Sequence, residues 1–147
     1  MRLAEILNKN YPNYDGGKNG YGFGGKMYEG YLDQYERHLP KRVEDFLEIG
    51  IWKGDSISMF RDYYGGKGHF HAMNMNWNVG GVPEIDSFRA KGFTCYSGDQ
   101  GDIEFLKTID TKFDVIVEDG SHHSDDQIIT FKQMFLNNMK SGGVYVN

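Results

Sequence analysis

The chain has 147 residues, 39% of them hydrophobic, including ten Phe, ten Tyr and two Trp, and a net charge of −5. That is enough for one domain with a real core, and an acidic balance without a basic cluster excludes a nucleic-acid groove. No apolar run is long enough to span a bilayer, no signal-peptide pattern opens the chain, and the single cysteine, Cys95, has no internal partner, which together predict a cytoplasmic protein without membrane association.

The first nine residues suit a short helix, and the Gly-, Asn- and Tyr-rich stretch from Tyr11 to Gly25 reads as a loop able to act as a lid. Apolar residues at Met27, Tyr28, Tyr31, Leu32, Tyr35 and Leu39 have helical spacing, which Pro40 ends. Core packing is the main reading of these tyrosines, with Tyr21, Tyr28 and Tyr31 as alternative pocket-lining residues. Val43 to Ile49 is a predicted strand closed by Gly50, followed by a helix from Asp55 to Tyr64 that Gly65 and Gly66 stop.

His69 to Met73 is the second predicted strand, and Pro83 suits the first turn of a short helix carrying Ile85 and Phe88. Phe93 to Ser97 is the third strand, Asp102 to Ile109 a short helix, and Phe113 to Val117 the fourth strand. Ser124 with Gln127 three residues on forms a capping box for a helix whose apolar positions are Ile128, Phe131, Phe135 and Met139. Gly142 and Gly143 end that helix, and Val144 to Val146 is the fifth strand. Alternating strands and helices imply an α/β fold, a parallel sheet with helices on both faces.

Three places carry chemistry. The fourth strand opens into Glu118-Asp-Gly-Ser-His-His123, where ligands bind in open α/β sheets. Acids and histidines supply metal ligands and general bases; the alternative is a solvated loop that caps the next helix. The first strand ends in Glu48-Ile-Gly50-Ile-Trp-Lys-Gly54-Asp-Ser56. Gly50 permits a tight turn there, and Gly54 a close backbone approach to a ligand at the helix N-terminus. This is neither the dinucleotide fingerprint nor a P-loop, and an ordinary β-α turn is the other reading. After the third strand, Gly98-Asp99-Gln100 offers a carboxylate and backbone groups to a base.

These segments, "FLEIGIWKGDS", "SGDQGD", "FDVIVEDGSHH" and "MKSGGVYVN", resemble class I S-adenosylmethionine-dependent methyltransferases, most closely the macrocin- and mycinamicin-type sugar O-methyltransferases. The resemblance covers nearly the whole chain. It implies a Rossmann-like three-layer sandwich with a five-stranded sheet in the order 3-2-1-4-5. It also divides the chain into an N-terminal segment or lid, residues 1–25, and an S-adenosylmethionine-binding domain, 26–147.

By the same resemblance Glu48, Gly50, Gly54 and Ser56 hold the methionine part of the cofactor, and Asp99 and Gln100 border the adenine. Asp119 binds Mg2+, with Glu118 as a possible helper, and His122 is the catalytic base. The implied reaction is methylation of a small-molecule, sugar-type hydroxyl. The main alternative is an impaired remnant that keeps a cofactor or nucleotide cleft, and a third reading is an assembly scaffold.

The chain departs from the family pattern in two places. The acidic residue that holds the ribose at the end of the second strand is missing, and Asn74 or Asn76 stands there instead. Neutral amides replace a charge-assisted grip, which predicts a loss of roughly 1–3 kcal/mol in cofactor affinity. Relatives of this type also run on past "GGVYV" into an acidic pair that completes the metal site. The resemblance therefore implies a chain truncated after the fifth strand, whose open edge favours pairing into a homo-oligomer. His123 reads as a solvated loop residue or a second base, Trp52 as a stacking surface for a ligand, and Trp77 as packing for the asparagine loop.

Overall fold

The computed structural model describes residues 1–14 and 26–147. In chain order the elements are α1 (Leu3–Asn10), α2 (Lys26–His38), β1 (Asp45–Ile49), α3 (Asp55–Tyr63), β2 (His69–Asn74) and α4 (Ile85–Ala90). They continue with β3 (Thr94–Ser97), α5 (Ile103–Lys107), β4 (Phe113–Glu118), α6 (Ser124–Asn138) and β5 (Met139–Val146). The five strands form one sheet in the order β3-β2-β1-β4-β5, and every neighbouring pair is parallel. The lid expected at Tyr11–Gly25 falls mostly on residues 15–25, which lie outside the described residues. Tyr21 lies there too, and the side chains of Met27, Tyr28 and Tyr31 are likewise outside the description.

Side chains that alternate along the central strands bury both faces of the sheet. Phe46, Phe70, Ala72, Val115 and Val117 join Leu3, Leu7, Leu32, Ile57 and Phe60 from α1, α2 and α3, with Phe88 of α4, on one face. Leu47, Ile49, Met73 and Ile116 pack with Leu106 of α5 and Met134 of α6 on the other. These two clusters make the three layers of a Rossmann-like sandwich. Tyr35 of α2 meets Phe60 edge-on at 5.2 Å, and Phe60 lies 4.9 Å from Phe46, so α2 is tied to the sheet through α3. Among the described residues no helix is long and apolar enough to cross a membrane.

The C-terminal third departs from the sequence expectation. The helix ends at Asn138, four residues before Gly142, because the Asn138 side chain donates to the carbonyls of Ile109 (2.7 Å) and Thr111 (2.9 Å). Met139 is already extended and pairs with Phe113, after which a bulge follows. Val144, Tyr145 and Val146 then pair with Val115, Ile116 and Val117. Gly142 has φ +78°, so it turns the bulge inside β5 rather than capping a helix.

The inward face of α6 is also rotated from the one predicted. Thr130, Met134 and Asn138 are buried, whereas Ile128, Phe131 and Phe135 are exposed, with Leu136 beside them. Polar Thr130 and Asn138 can face inward because both are hydrogen-bonded there. Phe131 and Phe135 instead stack on each other (4.9 Å) and pack on Tyr145 of β5. Pro83 precedes Glu84, the N-cap of α4, and so stands just outside the first turn where it was expected.

Candidate functional site

Parallel strands place all their carboxyl ends on one side, and there a cavity of about 830 Å3 opens. That volume suits a drug-sized or cofactor-sized ligand. It collects residues from the ends of four strands and the turns that follow them: Glu48, Gly50 and Ser56 at β1, Asn74 at β2, Asp99 at β3, and Asp119 and His122 at β4.

The first turn depends on Gly50. Its φ is +83°, and a Cβ there would lie 2.3 Å from both the Asp119 carbonyl oxygen and the Gly120 Cα. Only a bare Cα lets the β1 turn and the β4 loop touch, which brings Glu48 and Asp119 to one cavity. Gly54 has a different task. A Cβ on it would sit 2.6 Å from the Phe88 ring, and it is not one of the residues lining the cavity. Its small size serves packing of α4 on α3 rather than the ligand approach expected from the sequence.

Glu48 is buried, and its Oε2 has no hydrogen-bond partner. Burial pushes its carboxyl up to about 8; the Ser56 hydroxyl opposes this and the charge of Asp119 adds to it. A buried carboxyl short of one partner at a cavity wall is suited to a cationic or hydrogen-bonding ligand group. Asp119 is reached by solvent through the cavity mouth, yet the surrounding protein displaces enough water to raise its pKa. His122 counteracts that rise and Glu118 reinforces it. His122 and His123 are both exposed and both line the cavity.

Several expected contacts are differently made. Glu118 is buried and does not line the cavity. Its Oε1 accepts from the Gln100 side chain (2.9 Å) and from the Gly120 amide (3.1 Å), so a role beside Asp119 on a metal does not follow from its position. Gln100 borders the cavity, but its amide is held inside the protein rather than offered to a base. Asp99 accepts from the Gly101 amide (2.8 Å) through Oδ1.

The Asn74 side-chain amide donates to the Asn76 carbonyl, which takes up one of the two donor hydrogens expected to face a ribose. The capping box at Ser124 is absent: His123 is the N-cap of α6, and the Ser121 hydroxyl accepts from its amide (3.2 Å). Trp52, at φ +40°, lines the cavity, donates to the Gly80 carbonyl (3.3 Å) and carries the Lys53 ammonium 4.8 Å from its ring. Trp77 packs on Phe88 and donates to the Tyr96 carbonyl, so it anchors the asparagine loop to the core. Sequence reasoning missed Ser121 and Asp126, which also line the cavity and are joined by a 2.6 Å hydrogen bond. Their only sequence signal is a short polar side chain five residues before an acid.

Among the described residues no three His, Cys, Asp or Glu side chains converge as a metal cage. Asp119 is a single open carboxylate, whose oxygen chemistry suits Mg2+, an ion often held by one or two carboxylates with water completing the shell.

No family model matches the chain. In sequence it is 26% identical over 134 residues to mycinamicin VI 2''-O-methyltransferase of Micromonospora griseorubida, covering 80% of this chain and 31% of that protein. The fold superposes on the MycE methyltransferase of the mycinamycin biosynthetic pathway, solved with Mg, SAH and mycinamycin VI, with a TM-score of 0.69 and 22% identity. That match covers 99% of this chain and 38% of MycE. The SAH-bound Podospora anserina methyltransferase PaMTH1 matches with a TM-score of 0.63 and 14% identity, over 97% of this chain and 59% of the other. The chain thus spans about a third of the length of the curated relative it matches, and it shares the Rossmann-like fold of these methyltransferases.

Proposed function

We propose that this chain is the cofactor-binding part of an S-adenosylmethionine-dependent O-methyltransferase that acts on a hydroxyl of a small, sugar-type acceptor. The observation that carries the reading is the meeting of Glu48 and the Gly50 turn with Asp119 and His122 on one cavity. The sequence and fold likeness to methyltransferases supports it.

When bound, a sulfonium cofactor supplies an electrophilic methyl group; what the protein adds is position. Glu48, with its unpartnered Oε2, suits the cofactor's ammonium group, whose charge would draw the Glu48 carboxyl into its ionised form. Gly50 and Ser56 shape the turn below it, while Asn74 and Asp99 flank the far side. His122, at the cavity mouth, takes the proton of the acceptor hydroxyl at a ring nitrogen. Asp119, whose backbone carbonyl abuts the Gly50 turn, orients that acceptor, and its carboxylate would hold a divalent cation that would acidify the acceptor hydroxyl.

Titration calorimetry with S-adenosylmethionine and S-adenosylhomocysteine, with and without Mg2+, tests the reading. Micromolar binding of either is expected, and no heat at millimolar ligand would sink it. Binding without methyl transfer to any sugar acceptor would favour the remnant reading instead.

A further inference from the structure

The loop that carries Asp119 and His122 has no regular structure of its own, yet one side chain from across the sheet holds it. Gln100, after β3, is buried along with Glu118 and Thr130. Its Nε2 donates to Glu118 Oε1 (2.9 Å) and to Thr130 Oγ1 (3.0 Å), and its Oε1 accepts from the Ser121 amide (2.5 Å). The orientation of the amide is dictated by the Ser121 partner, because a backbone N–H can only donate and so must face the amide oxygen. Gly120 closes the arrangement: its amide donates to Glu118 Oε1, and a Cβ on it would lie 2.1 Å from Gln100 Oε1.

A second tie runs beside the first. Ser121 Oγ donates to Asp126 Oδ2 (2.6 Å), and Gly101 is so close to Asp126 that a Cβ would sit 2.4 Å from its Oδ1. The turn after β3, the loop after β4 and the first turns of α6 are therefore joined by one polar network, buried at Gln100, Glu118 and Thr130 and half-buried at Ser121 and Asp126.

We infer that Gln100 is a positioning residue: it sets where Asp119 and His122 stand relative to the Asp99 side of the cavity. Its geometry is independent of any activity; its catalytic consequence rests on the methyl-transfer reading. Glu118 is the network's anchor, and Thr130 its support from α6, with a hydroxyl that also lies 2.7 Å from the Asp126 carbonyl. Buried networks of this kind are costly when half satisfied, so losing one member should loosen the others.

The test is Gln100→Met, which keeps the length of the side chain and removes every hydrogen bond, on the full chain. Hydrogen exchange of the amides of residues 119–123 should accelerate at least tenfold, while β1 and β2 stay protected. Affinity for S-adenosylhomocysteine should stay within threefold of wild type. Turnover of S-adenosylmethionine should fall at least tenfold, with its KM within threefold.

Asn138→Leu removes a buried amide from the far end of α6 and serves as the control. It should lower Tm without changing exchange at 119–123. Thr130→Val should move the exchange in the same direction as Gln100→Met, but less. Unchanged exchange at 119–123 in Gln100→Met overturns the proposal. So does a parallel loss of S-adenosylhomocysteine affinity and turnover, which would make Gln100 a direct cofactor contact. Should the wild type bind no cofactor at all, the functional reading fails while the exchange measurement still decides the role of Gln100.

Discussion

At the amino ends of the strands, Asp114 accepts from the amides of Glu44 (2.7 Å) and Asp45 (2.9 Å) and ion-pairs with Lys140 (3.1 Å). At the carboxyl ends of the same sheet, Glu48 keeps an unpartnered oxygen and Asp119 faces an open cavity. Burial alone would raise Asp114, but the two amides and the Lys140 ammonium outweigh it and hold its pKa below the ordinary range. At the other end burial wins, and Glu48 and Asp119 both shift upward.

His71 strengthens the contrast. It lies towards the amino end with both ring nitrogens partnered, to Asp45 (3.0 Å) and to Tyr96 (3.1 Å). Similar residue types thus do two jobs in one fold. Asp114, with its partners complete, serves as a clamp; Glu48, with one oxygen unpartnered at the cavity wall, is suited to receive a ligand group.

The largest expected effect breaks the open end. His122→Ala should lower methyl transfer at least ~100-fold while leaving S-adenosylhomocysteine affinity within threefold, measured with labelled cofactor and calorimetry. Equal turnover in the variant would remove His122 from the role of base.

Glu48→Gln comes next. A carboxyl whose pKa is raised by folding contributes stability that is complete below its unfolded value of 4.5 and is lost as pH rises through about 8. Denaturant unfolding of the wild type should therefore lose ~4 kcal/mol between pH 5 and pH 9, and the variant should not. Matching slopes for the two proteins would show that Glu48 has no special state.

At the closed end, Asp114→Ala strips two amides and Lys140 of their shared acceptor. It should cost ~2 kcal/mol, read as a lower Tm, with no change in cofactor binding. A loss of binding there would blur the division between the two ends. The smallest effect sharpens the open end: Asn74→Asp restores a carboxylate after β2 and should tighten S-adenosylhomocysteine binding by ~1 kcal/mol, about fivefold. Weaker binding would mean that the bond from the Asn74 amide to the Asn76 carbonyl matters more than the missing charge.

Much of this was legible in the residues themselves. Apolar runs such as Phe113 to Val117 marked the strands, and polar residues massed at their ends marked the cavity, so Glu48, Gly50, Ser56, Asn74, Asp99, Asp119 and His122 all fall on it. Gly54 misled because a glycine that makes room for Phe88 and one that makes room for a ligand look the same in sequence. The face of α6 misled because Phe131 and Phe135 are apolar at helical spacing, while Thr130 and Asn138 are polar and yet inside.

By itself the sequence determined the alternation of strands and helices and the end of the sheet at which polar groups gather. Both are local, written in runs of apolar residues and the turns that close them. Tertiary structure alone decided which side of α6 is buried and where the Gln100 amide points. Those choices depend on partners 18 and 30 residues away along the chain, Glu118 and Thr130, and a buried hydrogen bond outweighs the pattern of its own helix.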